Sequence, residues 1–277
     1  MGKLIEKLGQ VGQSSGGGFG FLSNARGGAR APRPAAILVS VAAGEAALAE
    51  AALRAGADGV IVTGWTPSTD TKAFKTAAEQ SNAVWGVEYS VEGQAEDGVL
   101  KSAQEAGAAF AVVTPQVSAV TLLDDLERFD VVVAVDPPKD DLGIVLMRAE
   151  NLLPAQAILL RFQFTAADVN HMTVAEFARV RFISESLRFP RLVTLNGAEP
   201  QQVRTLVRLG TDAVVLAGSG MAAASLEEQV KAFRDELEKT PPRRETGTPV
   251  ALGGLMPSAA PQPAPGKPEP QKDPDHE

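Results

Sequence analysis

Residues 53–62, with the sequence LRAGADGVIV, join the end of an apolar helix to a buried strand through a glycine. The same joint recurs as AQEAGAAFAV over residues 103–112 and as LVRLGTDAVV over residues 206–215. In each copy the glycine stands where a helix ends in the left-handed conformation, which a residue without a Cβ adopts at least cost. The three joints therefore predict a chain in which helices and strands alternate, as in an α/β protein.

The spacing of these joints suggests how many units the fold contains. Gly56, Gly107 and Gly210 follow one another at intervals of 51 and 103 residues, so the second interval is close to twice the first. If the shorter interval holds two strand–helix units, each unit has about 26 residues, a size compatible with a barrel. We then expect a fourth copy near residue 158, where the chain has a proline-broken helix end followed by an apolar run.

The apolar runs between the amphipathic segments predict eight strands. All are short and rich in Val, Ile or Leu, and they are apolar on both faces, which is typical of a parallel sheet covered on both sides. Eight such strands alternating with helices indicate a (β/α)₈ TIM barrel, with an open doubly wound sheet as the alternative. The predicted strands are Ala35–Val41, Gly59–Thr63, Val84–Glu88, Phe110–Thr114, Asp130–Asp136, Ala157–Arg161, Arg191–Leu195 and Ala213–Leu216.

Composition divides the chain into three regions. Residues 1–34 hold a short amphipathic helix, with Leu4, Ile5, Leu8 and Val11 at helical spacing, followed by a glycine-rich arm. Residues 35–240 form the barrel, and residues 241–277 are a proline-rich tail that we expect to be disordered. The N-terminal helix could plug the floor of the barrel, dock on another subunit or lie on a surface.

The overall composition excludes several classes of protein. A net charge of −8 with no basic stripe argues against a nucleic-acid partner, and the absence of cysteine excludes thiol nucleophiles and thiolate metal sites. No apolar run approaches the ~20 residues of a membrane span, and the first residues lack a secretory signal. We therefore expect a cytoplasmic protein, a candidate homo-oligomer, without a membrane span.

Catalytic candidates are expected where strands end, because the working residues of these barrels lie at the carboxyl ends of the strands. Glu88, Asp136 and Arg161 are the acid–base candidates: the two carboxylates could share Mg²⁺, or act as a proton-transfer pair while Arg161 holds an anion. Arg161 could instead be a structural partner of Asp136. His171, which follows the sixth predicted strand, is interpreted as a surface-loop residue, with a general base over the mouth as the alternative. The full set of polar residues near strand ends is Ser40, Thr63, Glu88, Thr114, Asp136, Arg161, Gln163, Asn196 and Ser219.

Two glycine-bearing loops predict an anion site at the same end of the barrel. LNGAEP over residues 195–200 follows the seventh strand, and LAGSGM over residues 216–221 follows the eighth. Glycines let backbone N–H groups approach an oxyanion closely, and the helix start that follows adds its dipole. The loops after the seventh and eighth strands are where such barrels commonly hold phosphate.

The stretch from Arg191 to Met221 resembles the last quarter of ribulose-phosphate-binding and flavin-mononucleotide-binding barrels. The resemblance implies that Gly197, Gly218, Ser219 and Gly220 contact the phosphate of a small phosphorylated molecule, with FMN or Mg²⁺ as candidate cofactors. It further implies isomerase, lyase or flavin-dependent chemistry. Because no lysine lies at a predicted strand end, a Schiff-base aldolase is excluded. The alternative function is a non-catalytic scaffold or regulator that acts through the N-terminal helix and the tail.

Overall fold

The strands of the fold lie close to the predicted runs. The computed structural model describes residues 2–12, 33–89, 99–114, 116–117, 129–137, 147–165, 169, 171–197 and 199–241. The glycine-rich part of the arm and the tail lie outside these residues. The strands are β1 Ala36–Ala42, β2 Gly59–Thr63, β3 Val84–Tyr89, β4 Phe110–Val113, β5 Asp130–Val135, β6 Ala157–Thr165, β7 Arg191–Asn196 and β8 Ala213–Ala217.

The eight strands pair in chain order, all in parallel, and close into a barrel. Closure is made by β1 and β8, where Ala36 pairs with Ala213 and Ser40 pairs with Ala217. The prediction of a (β/α)₈ barrel is therefore confirmed, and the open-sheet alternative is wrong. The described helices are α1 Lys3–Gly12, α2 Ala46–Ala55, α3 Lys72–Gln80, α4 Val99–Glu105, α5 Val174–Ser186, α6 Val203–Leu209 and α7 Ala223–Lys239.

The three glycine joints have the predicted conformation. The φ angles are +103° at Gly56, +95° at Gly107 and +98° at Gly210, all in the left-handed region. At Gly56 the backbone N–H donates to the carbonyls of Ala52 and Leu53, which satisfies acceptors that the end of α2 leaves free. Near the expected fourth copy the chain has a 3₁₀ helix, Met147–Leu152, before β6 instead of an α-helix ending in glycine.

Alternate residues of each strand fill the inside of the barrel. Leu38, Ile61, Val112 and Leu159 belong to one buried interior cluster, and their strand neighbours pack outward against the helices. Gly86 of β3 is part of this arrangement, because a Cβ at that position would lie 2.6 Å from the ring of Phe110. The barrel is thus a packed core and not a pore, which confines any binding space to its ends.

Helix α1 closes the amino-terminal end of the barrel, and this settles which of its three predicted placements applies. Leu4, Leu8 and Val11 are buried in the interior cluster. The backbone N–H groups of Leu4 and Ile5 donate to the Asp130 carboxylate at 2.9 and 3.2 Å, so an acidic side chain faces the positive end of the helix. Burial raises the pKa of Asp130, and these N–H groups offset the rise only in part.

No helix among the described residues is long and apolar enough to cross a membrane.

Candidate functional site

We call the end of the barrel where the strands have their carboxyl termini the mouth, and a small recess opens there. Its volume is about 180 Å³, and its walls come from six of the eight strands. Apolar side chains of the packed interior form the bottom of the recess, and polar side chains form its rim. The lining residues are Ser40, Ile61, Glu88, Leu159, Arg161, Phe162, Thr194 and Val215.

An ion pair joins two of the predicted catalytic residues within this recess. An Arg161 Nη donates to a Glu88 carboxylate oxygen at 2.6 Å, and the two side chains are 32% and 23% exposed. Glu88 lies on β3 and Arg161 on β6, which do not pair with each other, so the ion pair spans the barrel. Both side chains are partly exposed to solvent, so a ligand can reach the ion pair. It is not a fully buried structural salt bridge.

Asp136 does not join the other two candidates. It follows the end of β5, is exposed, and is absent from the described lining of the recess. Arg161 is therefore the partner of Glu88, and the alternative pairing of Arg161 with Asp136 is not found. Among the described residues no hydrogen bond or ion pair joins Asp136 to Glu88 or Arg161, and no cluster of three acidic or histidine side chains that could hold a metal ion is found.

The loop after β8, residues 218–222 and called loop 8 below, is held in place by its own glycines. The Gly218 N–H donates to the Ser40 carbonyl at 2.8 Å. A Cβ on Gly218 would lie 2.9 Å from a methyl carbon of Val39. Gly218 thus fixes the loop against β1, and its N–H is already used. Gly220 has a φ of +76° and its position for a Cβ is open, so it can turn its N–H outward.

A carboxylate of the chain itself occupies loop 8. The Gly220 N–H donates to one oxygen of Glu45 at 3.0 Å. The other oxygen accepts the N–H of Ala42 at 2.9 Å. The N–H groups of Ala42 and Gly220, in that order, hold the pKa of Glu45 below its usual value, with a smaller contribution from Ser219. An N–H group of loop 8 thus holds a carboxylate of the same chain.

Sequence reasoning missed Glu45 because the residue lies in the loop between β1 and α2, directly before the helix. An acidic residue there is read as an ordinary helix N-cap. Its side chain makes no capping hydrogen bond to α2, and reaches instead to Gly220, which is 175 positions away. A useful signal would have been the glycine–glutamate pair at 44–45 beside the predicted mouth.

The loop after β7 is described only in part. Gly197 has a φ of +61° and is exposed, and no atom lies within 4 Å of where its Cβ would be. The side chains of Gln163 and Asn196 lie outside the description. Thr63 has a structural role, since its hydroxyl donates to the Val41 carbonyl at 3.2 Å. His171 is exposed in a surface loop, as expected.

Comparisons with known proteins reveal likeness in fold without likeness in sequence. No family model and no curated protein matches the chain. Among solved structures, the tryptophan synthase alpha-subunit from Pyrococcus furiosus has a TM-score of 0.59 at 13% identity, covering 73% of this chain and 99% of that chain. Thiamine phosphate pyrophosphorylase from the same organism has a TM-score of 0.56 at 15% identity, covering 75% and 97%.

A third structure is similar to the same degree. Orotidine 5'-phosphate decarboxylase from Pyrococcus horikoshii has a TM-score of 0.52 at 12% identity, covering 72% of this chain and 99% of that chain. At these identities the likeness is one of fold alone. These structures support the predicted architecture: the chain is a closed (β/α)₈ barrel similar in fold to these three enzymes.

Proposed function

We propose that this barrel binds a small phosphorylated metabolite at its mouth and acts on it as an isomerase or lyase. The observation that carries the proposal is the Arg161 cation in an open recess, kept in place by Glu88 at 2.6 Å. The Arg161 guanidinium can donate two parallel hydrogen bonds to the oxygens of a phosphate or carboxylate. It lies at the same end of the barrel as loop 8. Two of the three similar structures, thiamine phosphate pyrophosphorylase and orotidine 5'-phosphate decarboxylase, carry a phosphate compound in their names, which supports the same interpretation.

Loop 8 and the loop after β7 would hold the phosphoryl group in this proposal. Gly197, Ser219 and Gly220 are exposed residues beside the mouth, while Gly218 would act by fixing the loop. Helix α7 begins at Ala223 without a side-chain cap, so its first N–H groups add positive potential near loop 8.

The ion pair suggests how chemistry could follow binding. An anionic ligand that engages Arg161 competes with Glu88 for the guanidinium. Glu88 would then be released beside the ligand as a carboxylate able to take up and return a proton. Asp136 is not assigned a role in this step, because none of its described contacts is with Glu88 or Arg161.

The size of the recess favours a small metabolite over FMN. Sites that enclose drug-sized ligands are commonly about 300–1,000 Å³, whereas this recess has about 180 Å³. The scaffold alternative gains no support from α1, because the apolar side chains that a partner would contact are buried in the barrel floor. An absorbance spectrum of the purified protein tests whether flavin is bound. A yellow protein would contradict our preference for a small metabolite over FMN.

Calorimetry with ribose 5-phosphate and ribose tests the proposal. We expect binding of the phosphorylated sugar but not of ribose, and a loss of about tenfold or more in affinity for Arg161→Gln, since a charge-assisted contact is removed. Arg54→Gln is the matched control, because Arg54 is 63% exposed at the far end of α2. Equal binding of the two sugars, binding of neither, or an equal loss in both variants would refute the proposal.

A further inference from the structure

Glu45 stands where an anionic ligand of loop 8 would stand. Its two carboxylate oxygens accept N–H groups from both sides, from Ala42 at 2.9 Å and from Gly220 at 3.0 Å. Backbone amides that converge on one anion are also the groups that hold phosphate in glycine-rich loops.

The contact of Glu45 with loop 8 joins residues that are far apart in sequence. Glu45 directly precedes α2, but its side chain makes no capping hydrogen bond to that helix. Its carboxylate instead accepts a hydrogen bond from loop 8, 175 positions away in the sequence. A single N–H cannot donate fully to two anions, and two negative groups this close repel each other.

We infer that the Glu45 carboxylate occupies the anion-binding position of loop 8 and thereby selects which ligands bind there. This inference rests on the proposed function. Because Glu45 is tethered, it competes at a high effective concentration. A ligand carboxylate would accept the same hydrogen bonds from loop 8 that Glu45 already accepts, so it has no advantage over Glu45. A phosphate dianion brings more charge and a third oxygen, so it displaces Glu45 where a carboxylate fails. Glu45 is thus a specificity-determining residue of the mouth.

The displacement is feasible because Glu45 is only half-buried and its carboxylate borders solvent. It precedes α2 and can turn toward the first N–H groups of that helix, which no side chain caps. The exchange would therefore leave neither the carboxylate nor the helix end without a partner.

Titration of the full-length protein with inorganic phosphate, and separately with acetate, tests the inference. The readout is the amide resonances of Ser219 and Gly220. We expect phosphate but not acetate to shift these resonances in the wild type. In Glu45→Ala both anions should bind, and phosphate should do so about five- to tenfold more tightly than in the wild type, because one competing charge is gone. Glu45→Gln, which keeps the shape, should fall between the two.

Glu50→Gln is the matched control for the change in charge, since Glu50 lies exposed on α2 and pairs only weakly with Arg54 at 3.9 Å. It should behave as the wild type. Equal phosphate affinity in the wild type and both Glu45 variants would overturn the inference while leaving the proposed function intact. If no variant bound phosphate at loop 8, both would fail together. Acetate binding to the wild type at loop 8 would overturn the selectivity.

Discussion

Replacing Leu4 with alanine tests whether α1 is an integral part of the barrel. Leu4 is 0% exposed and lies in the interior cluster at the barrel floor. The substitution removes the equivalent of three methylene groups, worth about 2.4 kcal/mol at about 0.8 kcal/mol each. The surrounding strands cannot collapse inward without breaking the closed ladder, so a cavity term adds to this. We expect a loss of about 3 kcal/mol in the free energy of unfolding.

Urea unfolding followed by circular dichroism measures this loss, and thermal unfolding should show a fall in Tm of about 6–12 °C. Lys3→Ala is the control, because Lys3 is exposed on the same helix and should change stability by less than about 0.5 kcal/mol. Trypsin cleavage after Lys7 reports separately whether α1 detaches. A Leu4→Ala protein within about 1 kcal/mol of the control, with unchanged cleavage, would refute the placement of α1 in the floor.

Three further substitutions give distinct expectations. Gly86→Ala places a Cβ against the aromatic ring of β4 and should destabilise by about 1–3 kcal/mol in urea unfolding, whereas Gly44→Ala, with no atom within 4 Å, should be near neutral; equal effects would contradict the packing. Since burial raises the pKa of Asp130, the stability of the wild type relative to Asp130→Asn should be greatest below pH ~4 and should fall as the pH rises through the raised pKa. An increase in relative stability over that pH range would contradict this expectation. Glu88→Gln leaves Arg161 without its anionic partner and should tighten ribose 5-phosphate binding about fivefold by calorimetry, while weaker binding would mean that Glu88 itself holds the ligand.

The fold could be predicted from sequence because its signals are local and repeated. A run such as Val84–Glu88, apolar on both faces, has few alternatives to a buried parallel strand, and it begins where the observed β3 begins. The helix ends could be predicted at the glycine joints because glycine has no Cβ and therefore adopts the left-handed conformation at least cost. Closure of the barrel was harder to predict, because it depends on pairing between β1 and β8, which are far apart in sequence. The spacing of the repeats was the only evidence for it in the sequence.

The site could be predicted only as far as strand ends define it. Glu88 and Arg161 were correctly assigned to one end of the barrel, but their ion pair depends on the barrel's width and on side-chain rotamers, which spacing does not encode. Asp136 was grouped with Glu88 because it also follows a strand, although it is exposed. Glu45 was missed because its partner Gly220 is distant in sequence and its own neighbourhood resembles an ordinary cap.

The two ends of the barrel use a similar contact with opposite consequences. At the floor Asp130 accepts backbone N–H groups from α1 while 1% exposed, and burial raises its pKa. At the mouth Glu45 accepts backbone N–H groups in reach of solvent, and those hydrogen bonds lower its pKa. Displacing Asp130 would strand a carboxyl group in the apolar interior, so that contact serves structure. Glu45 can exchange its partners for water or for α2 at little cost, and this is why the carboxylate at the mouth, and not the one at the floor, can yield its place to a ligand.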